Sequence, residues 1–314
     1  MNCDRNVYNE NGFALIMTIW VIIFLTIAAM SFSLSTRWSL ASTLNFRQET
    51  EAYYVALSGV DMARNYLMND TDPRIDYIDE KGVFYVDKDH EPIGDKISLY
   101  KGIVEINITD EQARINLNRT NQRNLRKLLQ YAGVEQDKED AYVDCLLDWI
   151  DADDAHHLNG AEDEYYEDLG YKSKNGPLDT VEELLLVKEY SEELLYGSDD
   201  YNALYPLVTT FGDGTFNVNT ADAELMSLLG VSEIDIENVM RYRDSESGGL
   251  SSVPSGLRSF GFTTTFSRYV RVTVVAEVKE SGIKYLITAV IKRIPVKDGY
   301  RLETVFWRED VKYS

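Results

Sequence analysis

The chain has 314 residues and a formal net charge of −22, from 53 acidic and 31 basic side chains. Nucleic-acid binding depends on cationic side chains that neutralise phosphates, so this balance weighs against a nucleic-acid-binding protein. The length allows a soluble core of about two domains. Cys3 and Cys145 are the only cysteines, which excludes a fold held together by several disulfides.

An uncharged segment of twenty-four residues, Phe13–Thr36, lies near the N-terminus. It exceeds the roughly 20 apolar residues that a helix needs to cross a bilayer. No proline follows before Pro73, and apolar residues continue at helical spacing, so Phe13–Met68 is predicted to form one helix roughly 80 Å long. We expect its first half in the membrane and its second half against a soluble domain. A plain signal anchor is the alternative.

The segments after this helix predict strands on both sides of a helical block. Ile97–Asp110 alternates like a strand or one half of a hairpin. Three β-rich runs separated by turn residues predict a C-terminal antiparallel meander: Ser267–Val278, Gly282–Ile294 and Tyr300–Glu309. Because helices separate the two groups of strands, we predict an α+β domain with a helical insertion.

Apolar residues at i, i+3 and i+4 predict three helices within the block, over Asn121–Val134, Lys138–Asp154 and Asp179–Gly197. Thr180 and Glu183 form a capping-box pattern, which predicts that the third helix begins there.

The helical block contains an internal repeat. Ile115–Thr120 (INLNRT) is echoed by Phe216–Thr220 (FNVNT), and each is followed by a leucine-rich helix that ends at a glycine, Gly133 or Gly230. Such units are similar to helix-hairpin-helix modules, which bind phosphates at glycine-rich turns. Here each turn lacks a second glycine and carries carboxylates, so simple helical packing is favoured. The alternative is a membrane-anchored DNA-binding protein of a competence or pilus system.

A strongly acidic segment, Glu135–Asp168, contains fourteen carboxylates and one lysine. Ca²⁺ takes about six to eight oxygen ligands, and close carboxylates repel one another unless a cation lies between them. The candidate ligands surround the central loop of this segment: Asp148, Asp151, Asp153, Asn159, Glu162 and Asp163. A solvated acidic loop is one alternative. Zinc bound by His156, His157 and a carboxylate is another.

The sequence shows no nucleophile motif, phosphate-binding loop or EF-hand frame, so the chain is not expected to be an enzyme. A hydrolase that uses a pair of carboxylates is kept as a third alternative, because so acidic a chain always offers such pairs.

Several segments together resemble one family. Gly12 before Phe13 and a long apolar helix is similar to the processing site of type IV prepilins. Most pilins carry a glutamate at the position occupied here by Met17, and minor pseudopilin K of the type II secretion system is the member that typically lacks it. Further segments resemble that family in the same order: Ala113–Asn118, Leu147–Asp153, Asn159–Asp163, Glu183–Lys188, Leu195–Gly197 and Asn217–Ala221.

The resemblance, which spans Gly12 to Trp307, implies a type IV pilin-like α+β fold, that is, a long N-terminal helix plus an antiparallel sheet. It also implies a large all-α insertion built from two SAM or helix-hairpin-helix-like units. The implied organisation is a prepilin leader at 1–12, the transmembrane half of the helix at 13–36, the first part of the pilin-like domain at 37–112, the inserted helical domain at 113–258 and the C-terminal strands at 259–314.

The implied function is that of a non-enzymatic minor pseudopilin, which caps the pseudopilus tip and helps initiate its assembly for export of folded proteins across the outer membrane. Prepilin peptidase would cleave between Gly12 and Phe13, and Phe13 would be N-methylated. The implied partners are minor pseudopilins I and J, the major pseudopilin and the Gram-negative inner membrane, with the soluble domain in the periplasm and no nucleic acid. Family members bind Ca²⁺ in the insertion, which implies calcium as the cofactor of the acidic loop.

Overall fold

A helix of 59 residues, α1 (Glu10–Met68), leads the fold. The computed structural model describes residues 10–70, 72, 74–94, 96–99, 101–243, 248–279, 282–297 and 299–312, so positions 1–9 of the predicted leader lie outside the described residues. The single helix predicted to end at Met68 is confirmed, and it already begins at Glu10. Within its apolar half the hydroxyls of Thr26 and Thr36 donate to the carbonyls four residues back, which satisfies them without water.

The two halves of α1 have different surroundings. Every side chain from 13 to 47 is exposed, and this half is long and apolar enough to cross a membrane. Further along, one face becomes buried through small and apolar residues spaced three or four apart: Ala52, Ala56, Val60, Ala63 and Leu67. The same helix therefore presents an uncovered apolar surface first and a packed core face second.

The remaining helices and strands follow in chain order. The first strands are β1 (Tyr77–Ile78), β2 (Phe84–Tyr85), β3 (Lys96–Ser98) and β4 (Gly102–Asp110). The middle of the chain forms β5 (Ile115–Asn116), α2 (Gln122–Ala132), α3 (Glu139–Ile150), α4 (Asp163–Glu167), α5 (Glu192–Tyr196), β6 (Val208–Thr209), β7 (Phe216–Asn217), α6 (Ala223–Leu229), α7 (Glu233–Arg243) and β8 (Phe262–Thr264). The last strands are β9 (Tyr269–Val278), β10 (Lys284–Val296) and β11 (Gly299–Lys312).

The main sheet has five antiparallel strands in the order β11-β10-β9-β4-β3. The predicted C-terminal meander is confirmed as β9, β10 and β11. The region predicted over Ile97–Asp110 is a hairpin, in which short β3 pairs with β4. Alternate residues of β4 and β9 are buried against α1, so the sheet covers the second half of that helix.

At Gly59, α1 lies close against the sheet. A Cβ atom at Gly59 would lie 2.7 Å from Cγ1 of Val274 and 3.6 Å from Cβ of Val104. Both valines are wholly buried and have stiff, branched side chains. Gly59 therefore sets the distance between helix and sheet.

The helical insertion consists of two similar units. Unit 1 (Ile115–Thr209) contains β5, α2 and α3, and β6 closes it by pairing parallel to β5. Unit 2 (Phe216–Thr264) contains β7, α6 and α7, and β8 closes it by pairing parallel to β7. Because β8 belongs to unit 2, the inserted domain extends to Thr264, beyond the predicted boundary at residue 258.

The repeated asparagines have the same roles in both units, which confirms the internal repeat seen in the sequence. Asn118 accepts from the N–H of Leu178 and donates to its carbonyl, and Asn219 makes the same two bonds to Leu250. Each first helix is N-capped by a side chain and ends at a glycine in the left-handed conformation, Gly133 or Gly230.

The helix predicted over Asp179–Gly197 is wrong as a single element. A 3₁₀ helix spans Val181–Leu186 and the separate α5 follows it. Thr180 makes no capping hydrogen bond from its side chain, while the carboxylate of Glu183 accepts from Asp179 N–H. Glu189 has a φ of 75°, a left-handed conformation that interrupts any helix.

Replacing Gly59 by leucine should force α1 away from the sheet. We expect G59L to lower the free energy of unfolding by about 1–3 kcal/mol, because the added atoms overlap Val274. The measurement is chemical denaturation of the full chain in detergent micelles, with S58L as the control, since Ser58 is the exposed neighbour on the same helix. Equal stability of the two variants would contradict the close packing at Gly59.

Candidate metal centre

The last turn of α3 carries the central residue of the acidic segment, Asp148. Its side chain is wholly buried. Its carboxylate accepts from the backbone N–H of His157 at 3.0 Å, and Nδ1 of His157 lies 2.5 Å from the same oxygen. The loop after α3 thus folds back over the end of the helix that precedes it.

Aromatic packing holds this loop in place. Trp149 of α3 contacts the ring of Tyr166 at 5.0 Å between centroids, and Tyr166 stacks on Tyr171 at 5.5 Å. Tyr166 is wholly buried, so α4 is anchored to α3. Glu162 directly precedes α4, and this anchoring fixes its position near the end of α3.

Two carboxylate oxygens in this region are buried without a hydrogen-bond partner among the described residues. They are Oδ1 of Asp151 and Oε1 of Glu162. The other oxygen of Glu162 accepts from the hydroxyl of Ser173 at 2.9 Å. Ligand atoms of Asp148, Asp151 and His157 lie within 4.8 Å of one another. An unpaired buried carboxylate oxygen is costly, and a hard cation is the partner that would satisfy it.

The directions of the pKa shifts also indicate that the carboxylates of the cluster lack partners that stabilise their charge. Burial raises the pKa of Asp151, and neighbouring carboxylates raise it further. Burial also raises the pKa of Glu162, although the bond from Ser173 opposes this, and nearby Asp148 adds to the increase. The hydrogen bond to Asp148 raises the pKa of His157. The surroundings therefore make the anionic forms of Asp151 and Glu162 less favourable than in water, and a bound cation would offset this cost.

The six predicted calcium ligands fall into two groups. Asp148 and Asp151 lie together at the end of α3, with ligand atoms within 4.8 Å of each other and of His157, and Glu162 is near enough for both carboxylates to raise its pKa. Asp153 is exposed and accepts from Ala155 N–H; the side chain of Asn159 donates to Asp144; Asp163 pairs with Lys172 at 2.6 Å.

The geometry bears on two alternatives from the sequence: zinc bound by the adjacent histidines, and phosphate bound at the glycine turns. His157 faces Asp148, but Nδ1 of His156 lies 2.9 Å from the carbonyl of His157, so the two imidazoles do not converge. The N–H groups of Gly133 and Gly230, which a helix-hairpin-helix module would offer to phosphate, donate to carbonyls of their own preceding helices. This arrangement speaks against the DNA-binding alternative.

His157 is the residue of the cluster that was not among the predicted calcium ligands. The sequence offered a signal only for zinc, through the adjacent pair His156 and His157. The contact of His157 with Asp148 depends on how the loop folds back, which spacing along the chain does not reveal.

The fold and this cluster define a class of protein: a pilin-like subunit with an apolar helical anchor and an inserted domain of two helical units. A family described as "Type II secretion system (T2SS), protein K" matches residues 105–213, which include most of β4, all of unit 1 and the acidic segment. Over these residues the chain carries a domain of the type II secretion system protein K family, a family of structural components. The resemblance noted from the sequence is therefore confirmed.

Relatives from three bacteria carry the name "Type II secretion system protein K". The one from Klebsiella pneumoniae is 27% identical over 239 residues, covering 71% of this chain and 70% of the relative. The one from Pseudomonas aeruginosa is 28% identical over 257 residues, covering 76% and 73%. The one from Pectobacterium carotovorum is 34% identical over 118 residues, covering 35% and 34%.

A solved structure shares the fold. It is the GspK-GspI-GspJ complex from enterotoxigenic Escherichia coli, and one of its chains matches with a TM-score of 0.60 and 18% identity, covering 88% of this chain and 99% of that chain. The predicted pilin-like α+β fold with a helical insertion is thereby confirmed.

Gly160 gives a test of the packing around Asp148. A Cβ atom at Gly160 would lie 1.7 Å from Oδ2 of Asp148, so the carboxylate or the loop must move in G160A. We expect a loss of about 1–3 kcal/mol in the free energy of unfolding. Thermal melting of the full chain measures it. The matched control is G176A, because a Cβ at Gly176 meets nothing closer than 3.7 Å. If both variants melt like the parent, Gly160 does not pack on Asp148.

Proposed function

We propose that this chain is the minor pseudopilin that caps the pseudopilus tip and helps to initiate its assembly for the export of folded proteins. The supporting observation is the position of the insertion on α1. Lys101, just before β4, pairs with Glu51 near the membrane half of the helix, at 3.4 Å. Asp110 ends β4 and accepts from the hydroxyl of Ser267, whose N–H donates to Asp76. Arg293 pairs with both Asp76 and Asp70, and Asp70 lies two residues past the end of α1. The insertion therefore lies at the end of the subunit farthest from the membrane.

The exposed half of α1 has two environments in this proposal. In the inner membrane, lipid covers its apolar side chains, with the soluble domain in the periplasm. After extraction, helices of neighbouring subunits cover them instead. Met17 is exposed on this half, at the position where other pilins carry glutamate. A carboxylate there is expensive within a bilayer unless a neighbouring subunit pairs with it, and a subunit at the tip has no neighbour above it.

The proposed partners follow from this placement. Prepilin peptidase processes the leader, and the major pseudopilin continues the filament below the tip. Minor pseudopilins I and J complete the tip complex. The solved structure that shares this fold is itself a GspK-GspI-GspJ complex, which supports the last pair of partners.

Processing gives the direct test of the pilin assignment. The mature chain isolated from membranes should begin at Phe13 with an N-methyl group, because prepilin peptidase cuts after Gly12. Mass spectrometry of the N-terminal peptide measures this. G12V should block cleavage, whereas N11V should be processed normally. An intact N-terminus in the parent chain would rule out the assignment.

We further propose that Ca²⁺ binds at the end of α3 through Asp148, Asp151 and Glu162. The support is the pair of buried, unpartnered oxygens on Asp151 and Glu162, in a cluster whose acidic chemistry suits a hard cation. When bound, the ion would neutralise mutual repulsion and hold the loop on α3. These three side chains do not fill a calcium coordination sphere, so backbone carbonyls and water would supply the rest.

Calcium should raise the melting temperature of the full chain, and chelator should reverse the gain. At a calcium concentration about 100 times the dissociation constant, the gain corresponds to about 2.7 kcal/mol. D151N and E162Q should abolish this gain in melting temperature, because each removes the charge of a carboxylate whose buried oxygen has no hydrogen-bond partner. D163N is the matched control and should keep it, since Asp163 already pairs with Lys172. If calcium does not change the melting temperature of the parent chain, the proposed site is refuted.

A further inference from the structure

The two helical units differ at the seam between their first and second helices. In unit 1, α2 and α3 are bridged by two polar pairs. Arg126 donates to Asp140 at 2.7 Å, and Nε2 of Gln130 donates to Glu139 at 3.0 Å. Val143 beneath them is wholly buried. These bridges close the seam of unit 1.

Unit 2 lacks both bridges. When the units are aligned at their left-handed glycines, Gly133 and Gly230, the pair Arg126 and Asp140 corresponds to Ala223 and Glu237. In the same alignment, Gln130 and Glu139 correspond to Ser227 and Ile236. Alanine and serine are too short to span the seam, and an apolar isoleucine replaces a carboxylate.

The four replacing residues line an open cleft between α6 and α7, with a volume of about 800 Å³: Ala223, Ser227, Ile236 and Glu237. Met240, the counterpart of buried Val143, also lines it and remains partly exposed. Of the eleven residues of α7, Val239 and Arg243 are buried. The described residues cover the seam of unit 1 and leave the seam of unit 2 open.

The charge around the cleft identifies what would fill it. Glu233, Glu237 and Arg241 line it, and Glu224 and Lys127 line the adjoining cleft along α6. No described lysine or arginine, Arg241 included, forms an ion pair with Glu237, whereas its counterpart Asp140 pairs with Arg126. Glu237 therefore lacks the ion pair that its counterpart makes, and Ile236 beside it is only partly covered.

We propose that the α6–α7 cleft is a docking site for an amphipathic helix of a partner protein. That helix carries arginine or lysine at position i and a large apolar side chain at i+4, the spacing of Arg126 and Gln130 on α2. Its cation pairs with Glu237, as Arg126 does with Asp140, and its apolar side chain packs on Ile236 and Met240. Helix-in-groove binding of this kind is a common mode of peptide recognition.

The probe is a fluorescein-labelled helical peptide of 15 residues in which each arginine is followed by a leucine four positions later. It is compared with a peptide in which glutamate replaces every arginine. The full chain is placed in zwitterionic lipid nanodiscs, with empty nanodiscs as the blank, and fluorescence anisotropy reports binding. We expect the basic peptide to bind and the acidic peptide not to bind.

Two substitutions remove the carboxylate available to the peptide's cation. A223R supplies an internal cation to Glu237, and E237Q replaces that carboxylate by a neutral amide. Each should weaken binding of the basic peptide about tenfold or more, a change of about 1.4 kcal/mol. The matched control, N238R, adds the same charge as A223R at an exposed position of α7 and should bind like the parent. Melting temperatures and processing at Phe13 should be unchanged in all three.

Three results would overturn the proposal. One is equal binding of both peptides, which would indicate non-specific apolar adhesion. Another is binding that neither A223R nor E237Q weakens relative to N238R. The third is self-association of the parent chain in sedimentation that A223R abolishes, which would make a second copy of this chain the occupant. Should A223R melt early, E237Q decides the outcome.

Discussion

The buried carboxylate of Asp110 connects the parts of this molecule. It lies at the end of β4, where the chain leaves the sheet, and accepts hydrogen bonds from Asn217 and Thr220 of unit 2 and from Ser267, where the chain returns. Burial raises its pKa, and these bonds oppose that shift. Ser267 N–H in turn donates to Asp76, which is buried with Arg293. Loss of any partner would leave buried polar groups unpaired at about 1–3 kcal/mol each, so insertion and sheet depend on each other.

This connection gives α1 its two distinct halves. The sheet and the insertion are held together at the far end of the helix, and the sheet covers the helix only from about Gln48 onward. The residues before that point have no partner surface within the described chain. A helix built this way needs a partner surface outside the described chain. In the proposed function, lipid covers it first and helices of neighbouring subunits cover it later.

Much of this architecture was predictable because it depends on local patterns. The uncharged run and the absence of proline predict α1, alternation predicts β9–β11, and the repeated asparagine motifs predict the two units. The acidic site was predictable only in part. Asp148 and Asp151 lie together at the end of α3, and the anchoring of α4 by Tyr166 brings Glu162 near them, whereas Asp153 is exposed and Asp163 pairs with Lys172. Local composition does not distinguish these two groups, and the left-handed Glu189 that divides the expected third helix leaves no sequence signal.

The two units show how a repeat can separate stability from recognition. In unit 1 the chain's own residues cover the helices, because Arg126 and Gln130 bridge α2 to α3 and the acidic loop covers the end of α3. Unit 2 keeps a side-chain N-cap, a left-handed glycine after its first helix, the asparagine bonds and the parallel closing strand, so its described backbone is held by the same kinds of bonds. It differs in side chains that do not determine the fold, at Ala223, Ser227 and Ile236. Because the framework does not need these positions to close, they are free to contact another molecule. The open cleft is therefore compatible with a fully determined fold.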